Sequence, residues 1–170
     1  MRKRGCLLVG LSMAVVLGAT GLQAYPVEAQ AGAEHPAAMK QAATSGGIPA
    51  SGRMEPSELA KMIRSGHAPV VLQVGFTKLY AEAHIPGAVH AGPMVSADGR
   101  ALLRKTVAGM DRHALLVIYC GCCPWEKCPN IRAAYAAMRT MGFTDVKALY
   151  MARNFGADWV QRGYPTVKGE

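Results

Sequence analysis

The chain has 170 residues, 51% of them hydrophobic, with 19 basic and 11 acidic side chains and a net charge of +8. That length accommodates one ordinary domain with a true core, plus a targeting segment or tail. The charges are scattered, with no long basic run and no interleaved aromatics, so no nucleic-acid partner is expected; a mildly basic field slightly favours small anions.

Arg2, Lys3 and Arg4 form a cationic head, Cys6 to Leu22 an apolar run, and Ala24 and Val27-Glu28-Ala29 offer small-residue cleavage sites. This order predicts a secretory signal peptide over residues 1–29, cleaved after Ala24 or Ala29. The rival is an uncleaved anchor. The run is near the lower length limit for spanning a bilayer and contains Gly10, Gly18 and Gly21, so no stable membrane anchoring is expected after cleavage. Cys6 precedes the apolar run, whereas a lipid-bearing cysteine would follow it. The expected location is periplasmic or secreted, where disulfides are tolerated. Removing Arg2, Lys3, Arg4 and Glu28 leaves 16 basic and 10 acidic residues, a charge of +6.

Residues 30–52 are rich in Ala, Gly, Ser and Pro without hydrophobic period and read as a flexible linker; the domain then occupies 53–170. Pro56 suits a first helical turn, with Leu59, Met62 and Ile63 on one face and Gly66 as the stop. Val70 to Val74 reads as a buried strand, and Ala88-Val89-His90 as a second, short one. Leu102 to Met110 is assigned to a helix. Ala114 to Tyr119 is the strongest strand signal and runs directly into Cys120. Pro129 then opens a helix with Ile131, Ala134, Tyr135, Met138 and Met141 at helical spacing, ended by Gly142. Asp145 to Tyr150 is one more strand, and Asn154 caps a last helix carrying Phe155 and Trp159 and ending at Gly163. Strands alternating with helices predict a single α/β domain, a mostly parallel sheet with helices on both faces.

Without Cys6, the remaining cysteines are Cys120, Cys122, Cys123 and Cys128, all within nine residues. A disulfide framework spreads its cysteines to staple distant segments, so four in one loop read as a site. The order strand, cysteine, loop, helix places Cys120 near a helix N-terminus. Unpaired N–H groups and a partial positive charge there stabilise a thiolate and attract anionic sulfur species. Cys120 is thus the candidate nucleophile.

Tyr80-Ala-Glu-Ala-His84-Ile85-Pro86-Gly87-Ala88-Val89 resembles the His-Ile-Pro-Gly-Ala motif of the rhodanese family, and Val117-Ile118-Tyr119-Cys120 resembles that family's strand ending in the sulfur-carrying cysteine. Met141-Gly142-Phe143 and Trp159…Gly163-Tyr164-Pro165 match two later landmarks, so the resemblance covers about Met54 to Thr166. It implies a rhodanese-like fold and a thiosulfate-type sulfurtransferase, with a persulfide on Cys120 and His84 and Gly87 as turn elements. Small anionic sulfur donors and thiol acceptors are the implied partners, and no cofactor is implied. The backbone of Gly121 to Cys128, with Cys122, Cys123 and Trp125, would cradle the donor. Arg132 would pair with it or remain a solvated helix-face arginine.

Three departures stand out. Gln73-Val74-Gly75 replaces the family's Asp-Val-Arg, the active loop is lengthened, and Ala152-Arg153-Asn154-Phe155-Gly156 replaces a glycine pair. The loop Cys-x-Cys-Cys-Pro-Trp-x-x-Cys-Pro-Asn is similar to that of a divergent exported rhodanese-like subgroup. The cysteines leave two other readings open. Cys120, Cys122, Cys123 and Cys128 could bind a soft metal such as Cu(I) or Zn(II), although the spacing is not a zinc-ribbon pattern. Alternatively, Cys128 could act as a resolving cysteine in a thiol–disulfide switch. Trp125 either lines the pocket mouth or covers apolar surface. Met62, Met138 and Met141 are expected in the core, and Met94, Met110 and Met151 show no clustering that marks a copper site.

Overall fold

The computed structural model describes residues 47–169. The expected signal peptide, Cys6 and the linker up to residue 46 lie outside them. Residues 47–52, assigned above to the linker, are packed on the domain. Ile48 is buried in the core, and Ala50–Gly52 forms a 3₁₀ turn against Tyr135.

Five strands form one all-parallel sheet: β1 (Arg53–Met54), β2 (Val70–Gln73), β3 (Val89–His90), β4 (Leu116–Tyr119) and β5 (Val146–Leu149), in the order β1-β5-β4-β2-β3. Between them run the helices α1 (Pro56–Arg64), α2 (Thr77–Glu82), α3 (Ala97–Val107) and α4 (Pro129–Thr140), and α5 (Phe155–Asp158) follows the last strand. The α/β expectation is met, and the sheet proves wholly parallel. Among the described residues no helix is long and apolar enough to cross a membrane.

Side chains alternate across the sheet because a strand has a two-residue period. Leu72, Leu116, Ile118, Val146 and Ala148 face one core, filled by Leu103 and Val107 of α3 and by Ile131, Ala134 and Met138 of α4. Val71, Val117, Tyr119 and Leu149 face the other, filled by Leu59 and Ala60 of α1 and by Phe155 and Trp159. A strand buried on both faces must be apolar throughout, and all four residues of β4 are buried. That is why β4 is the clearest strand signal.

The structure departs from expectation at several boundaries. The helix placed at Leu102–Met110 starts earlier, at Ala97, because the Ser96 side chain caps it by accepting from the Gly99 N–H at 3.0 Å. The helix α2 was not expected. Its six residues include no fully buried side chain, so it carries no strong apolar period. The last helix is a single turn capped by Asn154, followed by a 3₁₀ turn at Val160–Arg162.

Candidate functional site

Strand β4 hands the chain to Cys120 at the carboxyl edge of the sheet, where open α/β sheets bind ligands. Gly121 follows in the left-handed region, with φ 80°, and a side chain there would place its Cβ 2.7 Å from Phe155. Only glycine allows this turn. The loop is then pinned at two points. Phe155 N–H donates to the Gly121 carbonyl at 3.1 Å, and Trp125 N–H donates to the Met151 carbonyl at 3.1 Å. A 3₁₀ turn at Trp125–Lys127 leads into α4, whose N-cap position is Cys128 and whose first residue is Pro129.

The loop brings the sulfurs together. Cys120 and Cys122 are 3.2 Å apart at Sγ, and Cys122 and Cys123 are 3.1 Å apart. The sulfurs of Cys120, Cys122 and Cys128 all lie within 4.8 Å of one another. All four described cysteines are free thiols. Cys120 is 5% exposed, yet it lines a cleft of about 290 Å³ with Gln73, Tyr119, Gly121, Cys122 and Phe155. Its thiol is neither sealed nor widely open. A separate cleft of about 300 Å³, lined in part by Glu55, Ser57, Asp158 and Arg162, holds no thiol.

The proton distribution corrects the sequence reading. Cys120 was expected to carry the depressed pKa. Instead its thiol is raised, because its proton is shared with the sulfurs of Cys122 and then of Cys128, with burial adding to the effect. Cys122 is lowered to about 5, chiefly because Cys120 donates to it. Cys128 is lowered to about 7 by the same donor, helped by the Ile131 N–H of the first turn of α4. Burial raises Cys123. The helix tip therefore stabilises Cys128, as expected for a residue in that place, whereas Cys120 stands beside thiolates as their proton donor.

Two amides reach Cys120. Its sulfur accepts from the Cys122 N–H and from Asn130 Nδ2, the latter at 3.5 Å. Asn130 is buried, and its Oδ1 accepts from the Val95 N–H at 3.1 Å, which holds the amide in orientation. Its place in the Pro129-Asn130 pair at the helix start was the available signal, and sequence reasoning passed over it. Gln73 was also missed as a site residue. Its Nε2 donates to the Cys120 carbonyl at 3.4 Å, while its Oε1 meets His90 Nδ1 at 2.8 Å and His90 Nε2 meets Thr77 Oγ1 at 3.0 Å. Burial lowers the His90 pKa, so neutral imidazole bridges these groups.

The departure at Gln73-Val74-Gly75 now has a physical reason. A Cβ on Gly75 would lie 2.7 Å from Gln73 Nε2, 2.8 Å from the Cys120 carbonyl and 3.2 Å from the Cys120 sulfur. Gln73 and Cys120 themselves occupy the room that any side chain at position 75 would need.

Two further side chains named above lie away from that cleft. Arg132 does not line the cleft. Its Nη2 donates to Glu126 at 3.2 Å on the surface. Trp125 is buried, edge-on to Tyr150 and beneath Arg53, so it covers core and does not stand at the mouth. It does line a void of about 10 Å³ with Cys120, Cys123, Cys128, Ile131 and Met151. Met151 thus shares a recess with three of the cysteines, where the sequence showed no clustering that marks a copper site.

A parallel α/β domain with a thiol at the carboxyl end of its central strand defines the class of fold and site. The family model for the rhodanese-like domain matches residues 55–151, and the chain belongs to that family. A protein from Bacillus halodurans is 22% identical in structural alignment, with a TM-score of 0.55 over 69% of this chain and 77% of that one. A rhodanese-like domain from Anabaena sp is 20% identical, with a TM-score of 0.54 over 69% of this chain and 79% of that one. The thiosulfate sulfurtransferase of Pseudomonas aeruginosa is 25% identical, with a TM-score of 0.51 over 72% of this chain but only 20% of the larger enzyme. No curated protein sequence gives a significant match. At the level of the superfamily, this fold supports sulfurtransferase chemistry.

Proposed function

We propose that the protein is an exported sulfurtransferase that relays sulfane sulfur through a persulfide on Cys120. The observation that carries the reading is the juxtaposition of Cys120, facing the cleft, with the Cys122 sulfur at 3.2 Å. The Cys122 sulfur already accepts a hydrogen bond from Cys120, so it is the nearest group to receive the Cys120 proton as Cys120 attacks. The new bond joins Cys120 Sγ to the donor's sulfane sulfur. The donor's own S–S bond breaks, and its leaving group departs with the electron pair, as sulfite from thiosulfate or as a thiolate from an organic persulfide. A thiol acceptor then attacks the outer sulfur and regenerates Cys120. The Cys122 N–H and Asn130 amide stabilise the charge on sulfur in both steps.

The cleft also narrows the donor. Among the described residues that line it there is no lysine or arginine, and Glu82 supplies a carboxylate. A dianion such as thiosulfate meets that carboxylate and the Cys122 thiolate without a compensating cation, so a low-charge organic persulfide is the better donor. Export rests on the basic head, apolar run and cleavage sites of residues 1–29.

Mass spectrometry of the reduced, tag-free protein before and after treatment tests this reading. The expected result is a gain of one sulfur atom, faster with an alkyl persulfide than with thiosulfate and lost in Cys120→Ser. No gain with either donor, or a gain retained in Cys120→Ser, overturns it.

A further inference from the structure

We infer that Cys120, Cys122 and Cys128 form a three-coordinate site for a soft monovalent metal ion, Cu(I). Three sulfurs bound in a plane to one ion at roughly 2.3 Å stand about 4 Å apart. The triangle here has one edge of 3.2 Å and no edge beyond 4.8 Å, so shifts of a fraction of an ångström close it around an ion.

The surroundings select the ion. The void of about 10 Å³ beside the triangle is lined by the sulfur-bearing residues Cys120, Cys123, Cys128 and Met151, and otherwise by apolar surface and the Gly121 backbone. A void of that size holds about one small particle, and water would need two to four polar partners that sulfur supplies poorly. Thiolate and thioether ligands match Cu(I). The five histidines of the chain are His35, His67, His84, His90 and His113, and none of them is in the loop. The sulfurs that all lie within 4.8 Å of one another are three, those of Cys120, Cys122 and Cys128; Cys123 touches this set from the Cys122 side, at 3.1 Å, and is not part of it, whereas a structural zinc ion takes four ligands. Cu(I) is stable in three-coordination.

Second contacts are already in place. Asn130 donates to the Cys120 sulfur, and the Ile131 N–H donates to the Cys128 sulfur at the tip of α4. Such hydrogen bonds orient ligands and disperse the negative charge that three thiolates would leave on a monovalent ion. Cys120 and Cys128 are both buried, which keeps the bound ion from water. The inference does not rest on sulfur transfer, although an ion on Cys120 would block it.

The test is an anaerobic competition of the fully reduced protein against a chromogenic Cu(I) chelator, with elemental analysis and X-ray absorption of the product. The expected outcome is one Cu(I) withdrawn per chain, a ligand shell of sulfur alone, and an affinity lowered by about 100-fold or more in Cys122→Ser and in Cys128→Ser. Cys123→Ser should retain binding, and circular dichroism should show all three variants folded. Failure to withdraw copper, unchanged affinity in Cys122→Ser and Cys128→Ser, or a stoichiometric preference for Zn(II) overturns the site. Sulfur loading, measured separately by mass, reports on the other reading. A protein that loads sulfur but leaves copper with the chelator refutes this inference alone.

Discussion

Two turns at the carboxyl edge of the sheet differ sharply. In the segment from Tyr80 to Ala88, polar groups find strong, directional partners. His84 stacks on Tyr80 and its Nδ1 meets the Tyr80 carbonyl at 2.9 Å, while Tyr80 donates to the Ala88 carbonyl at 2.6 Å. Backbone bonds join His84 to Val167 in both directions, and Ile85 N–H donates to the buried Tyr119 hydroxyl at 3.2 Å. In the loop from Cys120 to Cys128 the thiols find mainly one another. Sulfur makes weak hydrogen bonds, so a proton shared among thiols moves at small cost. The first turn fixes position. The second gathers the thiols, and it can do so because its backbone is anchored at Gly121 and Trp125.

That contrast can be broken from either side. The largest effect belongs to Cys120→Ser, which should abolish sulfur loading outright while leaving the thermal transition close to wild type, as a change confined to the chemical loop requires. A pH series of alkylation sharpens the point within the loop. Because Cys122 is lowered to about 5 and Cys128 to about 7, labelling at pH 6 should fall first on Cys122, then on Cys128, and last on Cys120. Acidifying through pH 5 should protonate Cys122 and slow its labelling. Peptide mapping checks the order, and Cys120 labelling first at pH 6 would contradict the shared-proton arrangement.

The supporting turn should respond in stability instead. Ile85 is fully buried, so Ile85→Ala should cost about 2–5 kcal/mol in denaturant unfolding yet keep the labelling order. Asn130→Ala spans both categories. It should cost roughly 1–3 kcal/mol by orphaning the Val95 N–H, and it should also slow sulfur loading by removing a donor to Cys120. Tyr80→Phe is the mildest, at about 1 kcal/mol, with unchanged thiol reactivity.

Legibility in the sequence followed the same division. The strand β4 and the helix α4 could be read directly, because burial on both faces or on one helical stripe imposes an apolar pattern that local sequence displays, whereas His84-Ile85-Pro86 and Trp159 were legible as landmarks through the family resemblance. The helix α2 and the start of α3 were less legible, since one has no buried side chain and the other depends on a single capping serine. Within the site, the four cysteines were found by their crowding. Gln73, Asn130 and Met151 were not, because each lies on a different element and only the fold brings them beside Cys120. Arg132 could be read from its place in α4 either as a donor ligand or as a solvated helix-face arginine, and in the fold Glu126 lies within reach and pairs with it at the surface.

By itself, then, the order of residues determined the parallel α/β domain and the thiol loop following its central strand, because hydrophobic period and cysteine spacing are local properties. Which sulfur holds the proton, which pair stands at 3.2 Å, and how Met151 comes to share a recess with three cysteines were decided only by tertiary structure. The reason is physical: proton affinity and metal fit depend on distances of a few ångströms between atoms that the chain brings together from different elements.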